Sequence, residues 1–227
     1  MDNKTLQQEA EKFQWYQSIP LGDGVITDGE TGESESKKIE LMELPSDLSG
    51  KSVLDIGCNE GFYSFEFEKR GASKIVAVDK SPKAKEKFEF VKNVFDSKVD
   101  FLSTDVLELK RKNLGRFNYV LFLAVFHHLK FPMKVLDRVY DLTEDVAFLE
   151  FVEAVPLEHP ELSALVRKLS KKGHLHMLPT KNFILEILEQ TGFSKVEILG
   201  THRDHELKPA RQVPGFSERR MLVKAYR

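Results

Sequence analysis

Three carboxylates and a pair of glycines stand in this chain at the spacing a nucleoside site needs. The run Val53-Leu54-Asp55-Ile56-Gly57-Cys58-Asn59-Glu60-Gly61 takes an apolar strand into an acid and then into a glycine-punctuated turn, and Phe62-Tyr63-Ser64-Phe65 opens an amphipathic helix. A second apolar strand, Lys74-Ile75-Val76-Ala77-Val78, ends on Asp79, and a third, shorter one leads to Asp105. Strand, loop, helix, strand and acid is the plan of a nucleotide-type cofactor site. Its details select among cofactors. A dinucleotide fingerprint needs glycine at the centre of the loop so that backbone can approach a pyrophosphate, and Asn59 stands there instead. Asp55, two residues before Gly57, repels a phosphate and attracts a cationic amino or sulfonium group. The loop points to S-adenosylmethionine, which carries ribose and adenine without phosphate, and away from a nicotinamide dinucleotide.

Each acid has an ordinary role beside the functional one. Asp79 ends its strand where one carboxylate can accept from two ribose hydroxyls, yet an acid before Ser81-Pro82 also suits a helix N-cap. Next to the Gly57–Gly61 loop, the ribose role is the one expected. Asp105 is a candidate acceptor for the adenine amino group, with the Val106 N–H toward the ring, or else a turn-forming aspartate. Phe62 and Leu123 are candidate apolar walls or ordinary core, and Cys58, Asn59 and Lys80 fall within the same cofactor-facing stretches. The exit of the fourth strand, Leu123-Ala124-Val125-Phe126-His127-His128-Leu129, is where reacting groups are expected. Either His127 or His128 is a reasonable general base, because imidazole titrates near neutrality. Alignment of donor and nucleophile away from water is the other large contribution to a methyl transfer. The pairs His174-Leu175-His176 and His202-Arg203-Asp204-His205 lack zinc-like spacing with cysteine, and no metal is expected.

Strands and helices must alternate for these groups to converge. Helical spacing of Leu6, Ala10 and Phe13 predicts a helix over residues 4–16, followed by an extended, turning segment from Ile19 to Ser36. A short helix over Lys37–Leu44 is expected to stop at Pro45. Strands are predicted at Lys51–Ile56, Lys74–Asp79, Val99–Leu102, Phe117–Leu123 and Val146–Phe151, with helices over Phe62–Arg70, from Pro82 and from Pro132 between them. A polar insert spans Glu153–Pro179, a helix carrying Phe183, Ile184, Ile187 and Leu188 ends at Gly192, and Val196–Leu199 with Met221–Ala225 forms an antiparallel terminal hairpin. The fold class is α/β and Rossmann-like: a seven-stranded, mostly parallel sheet with an antiparallel C-terminal strand and helices on both faces. Residues 1–48 read as an N-terminal cap, in which Trp15–Thr27 closes over the cofactor, and 49–227 as the catalytic domain, with 153–179 shaping the acceptor site.

Composition excludes little but bounds the partners. Apolar content of 41% and charged content of 31% over 227 residues are those of a soluble globular protein. A net charge of −2 provides no global basic field for nucleic acid. Local clusters at Lys110-Arg111-Lys112, at Arg167-Lys168 with Lys171-Lys172, and at Arg219-Arg220 are either solvated faces or an RNA-contacting patch. No apolar run reaches membrane-spanning length, and no signal peptide is expected. Cys58 is the only cysteine, so an internal disulfide is impossible and a cytoplasmic location is expected.

Taken together, these residues resemble a class I S-adenosylmethionine-dependent methyltransferase. The subgroup resembled is that of the tRNA wobble-uridine (5-oxy-uridine-34) methyltransferases and carboxymethyltransferases. The likeness runs from Trp15-Tyr16 and Ile19, through Leu21 and Gly24-Val25-Ile26-Thr27, to Ser49-Gly50-Lys51-Ser52-Val53-Leu54-Asp55-Ile56-Gly57. It continues in Gly61–Glu66, Leu121–Leu129, Phe148-Leu149-Glu150, Leu178-Pro179-Thr180, Gly192-Phe193 and Glu218-Arg219-Arg220. The resemblance implies that Asp55, Gly57 and Gly61 shape the cofactor loop, Asp79 holds the ribose, Asp105 and Val106 edge the adenine, and Lys37 contacts the cofactor. Two departures bear on the cofactor. Ser18 stands where the carboxymethyl-transferring members have lysine, and His127 where they have tyrosine. Ordinary S-adenosylmethionine and simple methyl transfer are therefore implied, to a hydroxyl such as that of a tRNA wobble 5-hydroxyuridine. The region after Gly200 is shorter than in the tRNA enzymes, which leaves two rivals: a small-molecule (metabolite or sugar) O-methyltransferase, and a cofactor-binding scaffold without catalysis.

Overall fold

The computed structural model describes residues 2–170, 173–202 and 213–227. The chain divides into two compact units, Met1–Glu108 and Leu109–Arg227.

The first unit opens with α1 (Asn3–Ala10), whose first turn is capped by the Asp2 carboxylate accepting from the Thr5 N–H at 2.9 Å. The apolar spacing continues past Ala10, but the helix does not. Trp15 folds back into the core and its indole N–H donates to the Ala10 carbonyl at 2.8 Å, taking over a helix-end acceptor. A small hairpin of β1 (Pro20–Gly22) and β2 (Val25–Ile26) follows. Helix α2 (Gly32–Met42) begins five residues before the expected Lys37, because its buried stripe is Glu35, Lys38 and Met42 rather than a run of apolar residues. Then come β3 (Ser52–Ile56), α3 (Phe62–Lys69), β4 (Lys74–Asp79), α4 (Pro82–Phe95) and β5 (Asp100–Ser103). The three strands are parallel in the order β3-β4-β5, with Asp55 beside Ala77 and Asp79 beside Ser103. Ser81 caps α4 through its hydroxyl, and Pro82 takes the first helical position, where a missing N–H costs nothing. Phe65 and Phe88 stack at 5.0 Å in the core between α3 and α4.

The second unit holds α5 (Arg111–Leu114), β6 (Phe117–Leu123), a short 3-10 turn (Phe126–His128), α6 (Pro132–Leu142) and β7 (Thr143–Pro156). It continues with β8 (Leu165–Leu169), β9 (Leu175–Pro179), α7 (Lys181–Thr191), β10 (Lys195–His202) and β11 (Phe216–Tyr226). Strand β6 runs parallel to β7, and β11 runs antiparallel to both β7 and β10. Strand β7 extends well beyond the expected Val146–Phe151 because β11 pairs with it from Val146 to Pro156. The insert also differs from expectation. It carries an antiparallel hairpin, β8 with β9, whose Val166 and Leu178 pack into a small core with Val152, Ala154 and Phe216. The fold is that of a seven-stranded, mostly parallel Rossmann-like sheet with β11 as its antiparallel member. Among the described residues, no helix is long and apolar enough to cross a membrane.

Candidate functional site

Strand β3 carries Asp55 into the interior of the first unit, where it is 2% exposed and accepts from the Ser64 hydroxyl at 2.7 Å. Burial pushes this carboxyl up to about 7, and the negative charge of Asp79 adds to the rise while Ser64 opposes it. The loop that follows is tied to the end of β4: the Gly57 and Cys58 amides both donate to the Val78 carbonyl, at 2.7 and 3.1 Å. Asn59 then bends the loop with a left-handed backbone (φ 52°). Its amide donates to one Asp79 oxygen at 3.2 Å, and the Ser81 amide donates to the other at 2.8 Å. Both oxygens of Asp79 are thus oriented by backbone, and each retains a lone pair for a further donor. Gly61 (φ 94°) ends the loop where a Cβ would lie 2.5 Å from the Phe88 ring, so no other residue fits there.

The remaining expected residues are distributed unevenly. Phe62 and Val106 are buried in the first unit, as is Cys58, whose thiol is pushed up by burial and is accordingly inert as a nucleophile. Asp105 accepts from the Leu107 amide and from the Lys80 ammonium, each at 3.1 Å, and these bonds hold its carboxyl low, the backbone bond foremost. The turn-forming role of Asp105 is therefore occupied, and Lys80 meets that acid. Lys37 is exposed on α2, whereas the next residue, Lys38, is buried with its ammonium 5.7 Å from the Tyr63 ring. Asp55 and Asp79 are not ion-paired among the described residues. This donor set, acidic and without a phosphate-binding cation, fits a cationic, phosphate-free nucleoside and does not fit a pyrophosphate.

A second layer escaped the sequence. Glu60 turns away from the loop, is fully buried and pairs with Lys87. It also accepts the Tyr16 and Gln17 amides at 3.1 and 3.2 Å, and the Gln17 side-chain oxygen accepts the Phe62 amide at 3.2 Å in the first turn of α3. Thr27 and Ser18 complete this strap. The Thr27 hydroxyl accepts from the Ile19 amide and donates to the Gln17 carbonyl, both at 2.7 Å, and the Ser18 hydroxyl donates to the Gly29 carbonyl at 3.0 Å. Gly29 is obligatory here, since a Cβ would lie 2.2 Å from the Gln17 backbone. Nothing in the Gly57–Gly61 spacing marks Glu60; only an acid in the middle of a buried turn hints at it.

In the second unit, β6 ends at a half-buried Leu123, and Ala124 adopts a left-handed backbone (φ 57°) while its amide donates to the Glu150 carbonyl at 3.1 Å. That kink starts the turn carrying both expected histidines. His127 is 7% exposed, and its Nδ1 is buried without a hydrogen-bond partner. The exposed His128 packs on it with ring centroids 3.9 Å apart. His176 of β9 completes the group, 5.3 Å from His127 and 5.0 Å from His128. Burial, then the charges of His128 and Arg220, hold His127 well below the ordinary histidine range. His128 is lowered by desolvation, then by His176, Arg220 and His174. The cluster is accordingly neutral and can accept hydrogen bonds. Sequence considered His176 only as a metal ligand; the β8–β9 hairpin brings it here.

Part of the basic charge turns inward. Lys168 pairs with Glu218, Arg219 grips Glu153 with two bonds at 2.6 and 3.1 Å, and Arg220 meets Glu150 at 3.3 Å. Among the described residues, no group of three His, Cys, Asp or Glu is arranged to hold a metal ion. Lys171, Lys172 and His205, the second member of the His202–His205 pair, lie outside the described residues.

Comparison with known proteins places this geometry in context. A family model described as a methyltransferase domain matches residues 35–198. The tRNA U34 carboxymethyltransferase of Helicobacter pylori is 29% identical over 168 residues, covering 72% of this chain and 64% of the relative. This chain therefore spans slightly less than two thirds of that protein's length. The protein of the same name from Helicobacter acinonychis is 27% identical over 203 residues, covering 88% of this chain and 77% of that one. Among solved structures, the N-terminal domain of EvdMO1, crystallised in the presence of SAH and D-fucose, superposes with a TM-score of 0.76. That match covers 100% of this chain and 98% of the other at 16% identity, a likeness of fold.

Proposed function

This chain belongs to the methyltransferase-domain family, and from that premise we propose that it is an S-adenosylmethionine-dependent O-methyltransferase acting on the wobble 5-hydroxyuridine of tRNA. The observation that carries the cofactor reading is Asp79. Its two oxygens are aimed by the Asn59 and Ser81 amides and keep capacity for two further donors, as the vicinal hydroxyls of a ribose provide. Asp55 is the second holding group: a buried carboxyl that titrates at about 7 is readily ionised by a neighbouring positive charge. When bound, the cofactor supplies an electrophilic methyl group on a cationic sulfur.

On the acceptor side, His128 is neutral and reaches solvent, so it accepts the proton of an incoming hydroxyl. His127, buried against it, orients the ring. A weak base suffices for a ring hydroxyl, which is more acidic than an alcohol. Ser18 is engaged by Gly29 and adds no cation for an extra carboxylate, which supports the ordinary methyl donor over its carboxylated form. The names of the relatives support a tRNA acceptor, and the cytoplasm is the compartment that goes with it.

The test is direct. Purified protein is incubated with methyl-labelled S-adenosylmethionine and tRNA bearing wobble 5-hydroxyuridine, and the RNA is digested to nucleosides. Label in 5-methoxyuridine is expected; unlabelled RNA overturns the acceptor. A second reading, a small hydroxylated metabolite or sugar, is favoured by the inward pairing of Arg219, Arg220 and Lys168, which removes cationic surface. It predicts label in the low-mass fraction of a cell extract instead.

A further inference from the structure

We propose that Phe131, with Lys130 and Lys134 beside it, is a stacking platform for an unpaired base of the RNA acceptor, next to the nucleotide being modified. This rests on the RNA reading above. Phe131 is 48% exposed, an unusual position for so large an apolar ring, and the residues around it are open as well: His128, Lys130 and Lys134 are all exposed. The ammonium groups of Lys130 and Lys134 lie 5.3 and 5.4 Å from the ring centroid, and neither has an ion-pair partner among the described residues. That contrasts with Lys168, Arg219 and Arg220, whose charges are spent on Glu218, Glu153 and Glu150.

The backbone that carries the ring is anchored despite the ring's exposure. Phe131 is the residue before α6, and the helix is anchored at once by buried Pro132, Val135 and Leu136. An aromatic side chain has few rotors, so little entropy is lost when a base stacks on it. Single-stranded RNA is recognised in this way, with splayed bases on aromatic faces and lysines on the flanking phosphates. Three residues of chain reach at most about 10 Å, which keeps the platform within a nucleotide or two of His128. Asp137, exposed one turn further along α6, bounds the patch on that side.

The experiment uses a fluorescein-labelled anticodon stem-loop and fluorescence anisotropy, with calorimetry of S-adenosylmethionine binding in parallel. Phe131→Ala should weaken RNA binding by roughly tenfold to a hundredfold, while Phe131→Trp stays within about twofold of wild type. Lys130→Ala and Lys134→Ala should each lower the slope of log affinity against log salt by about 0.7. Cofactor affinity should not change in any of them. Equal RNA affinity of Phe131→Ala and wild type overturns the platform, and label transfer to tRNA by the same wild-type protein then leaves the acceptor reading intact. Failure of the wild type to bind the stem-loop overturns the platform, and if tRNA also stays unlabelled the acceptor reading goes with it. Phe131-dependent binding to phosphatidylglycerol vesicles, with RNA binding untouched, assigns the patch to a lipid surface and overturns the proposal.

Discussion

Between its ordinary value of 3.8 and its folded value of about 7, the Asp55 carboxyl binds a proton in the folded chain that the unfolded chain has already released. Stability from this group therefore falls as pH rises through that window, and above it the full cost of a buried, unpaired carboxylate remains, on the order of 4 kcal/mol. Asp55→Asn removes the charge at every pH. It should match wild type near pH 4, where both side chains are neutral, and be more stable by a few kcal/mol at pH 8. Urea unfolding at the two pH values measures this, and a constant difference would contradict the raised value. The same substitution should weaken cofactor binding, because the attraction for a cation is gone. Ala124 makes a different point about single residues. Its left-handed backbone costs on the order of 1 kcal/mol, and nothing in Leu123-Ala124-Val125 announces it. Ala124→Gly should be neutral to slightly stabilising by thermal unfolding, yet lower turnover, since glycine frees the turn that holds His127 and His128.

Among elements, the N-terminal strap shows how much depends on one buried ion. Glu60 holds Lys87 and two strap amides at once, and Gln17 returns a bond to α3. Breaking a buried pair from one side strands the other charge and costs about 3–5 kcal/mol. Glu60→Ala should lose stability on that scale and open residues 12–31 to limited proteolysis. The pair replacement Glu60→Gln with Lys87→Met should lose less, because no charge is left unpaired. Unchanged cleavage in Glu60→Ala would show that the strap is held elsewhere. The same elements show what a sequence reveals. Strand β4 was legible because its apolar run lies between Ser73-Lys74 and Asp79, and β6 because an apolar run follows Arg116, and so was the place of Asp55, Asp79, His127 and His128 at strand exits. Helix α2 was misplaced because Glu35 and Lys38 face inward, and apolar periodicity does not see buried charges. The β8–β9 hairpin was missed because Val166 and Leu178 find their partners on β7 and β11, far away in sequence. With the hairpin went His176.

At the scale of the whole chain, the carboxylates proposed to hold the cofactor, Asp55 and Asp79, lie in residues 1–108, and the histidines proposed to handle the proton, His127 and His128, lie in residues 109–227. The two duties should separate in kinetics. Asp79→Ala removes a charged acceptor and should weaken S-adenosylmethionine by about 1–3 kcal/mol, read by calorimetry, with turnover at saturating cofactor largely retained. His128→Gln keeps a polar side chain of similar reach but cannot take up a proton, so turnover should fall while cofactor affinity stays. Its pH profile is the finer test. His128 is lowered in the folded chain, so its basic form persists well below pH 6.5, and wild-type turnover should stay level as pH falls through the ordinary histidine range. An acid limb at pH 6–7 that disappears in His128→Gln would mean the imidazole is not lowered in the working enzyme. Loss of cofactor affinity equal to the loss of turnover would mean His128 serves binding, and alignment would then be left as the main source of rate.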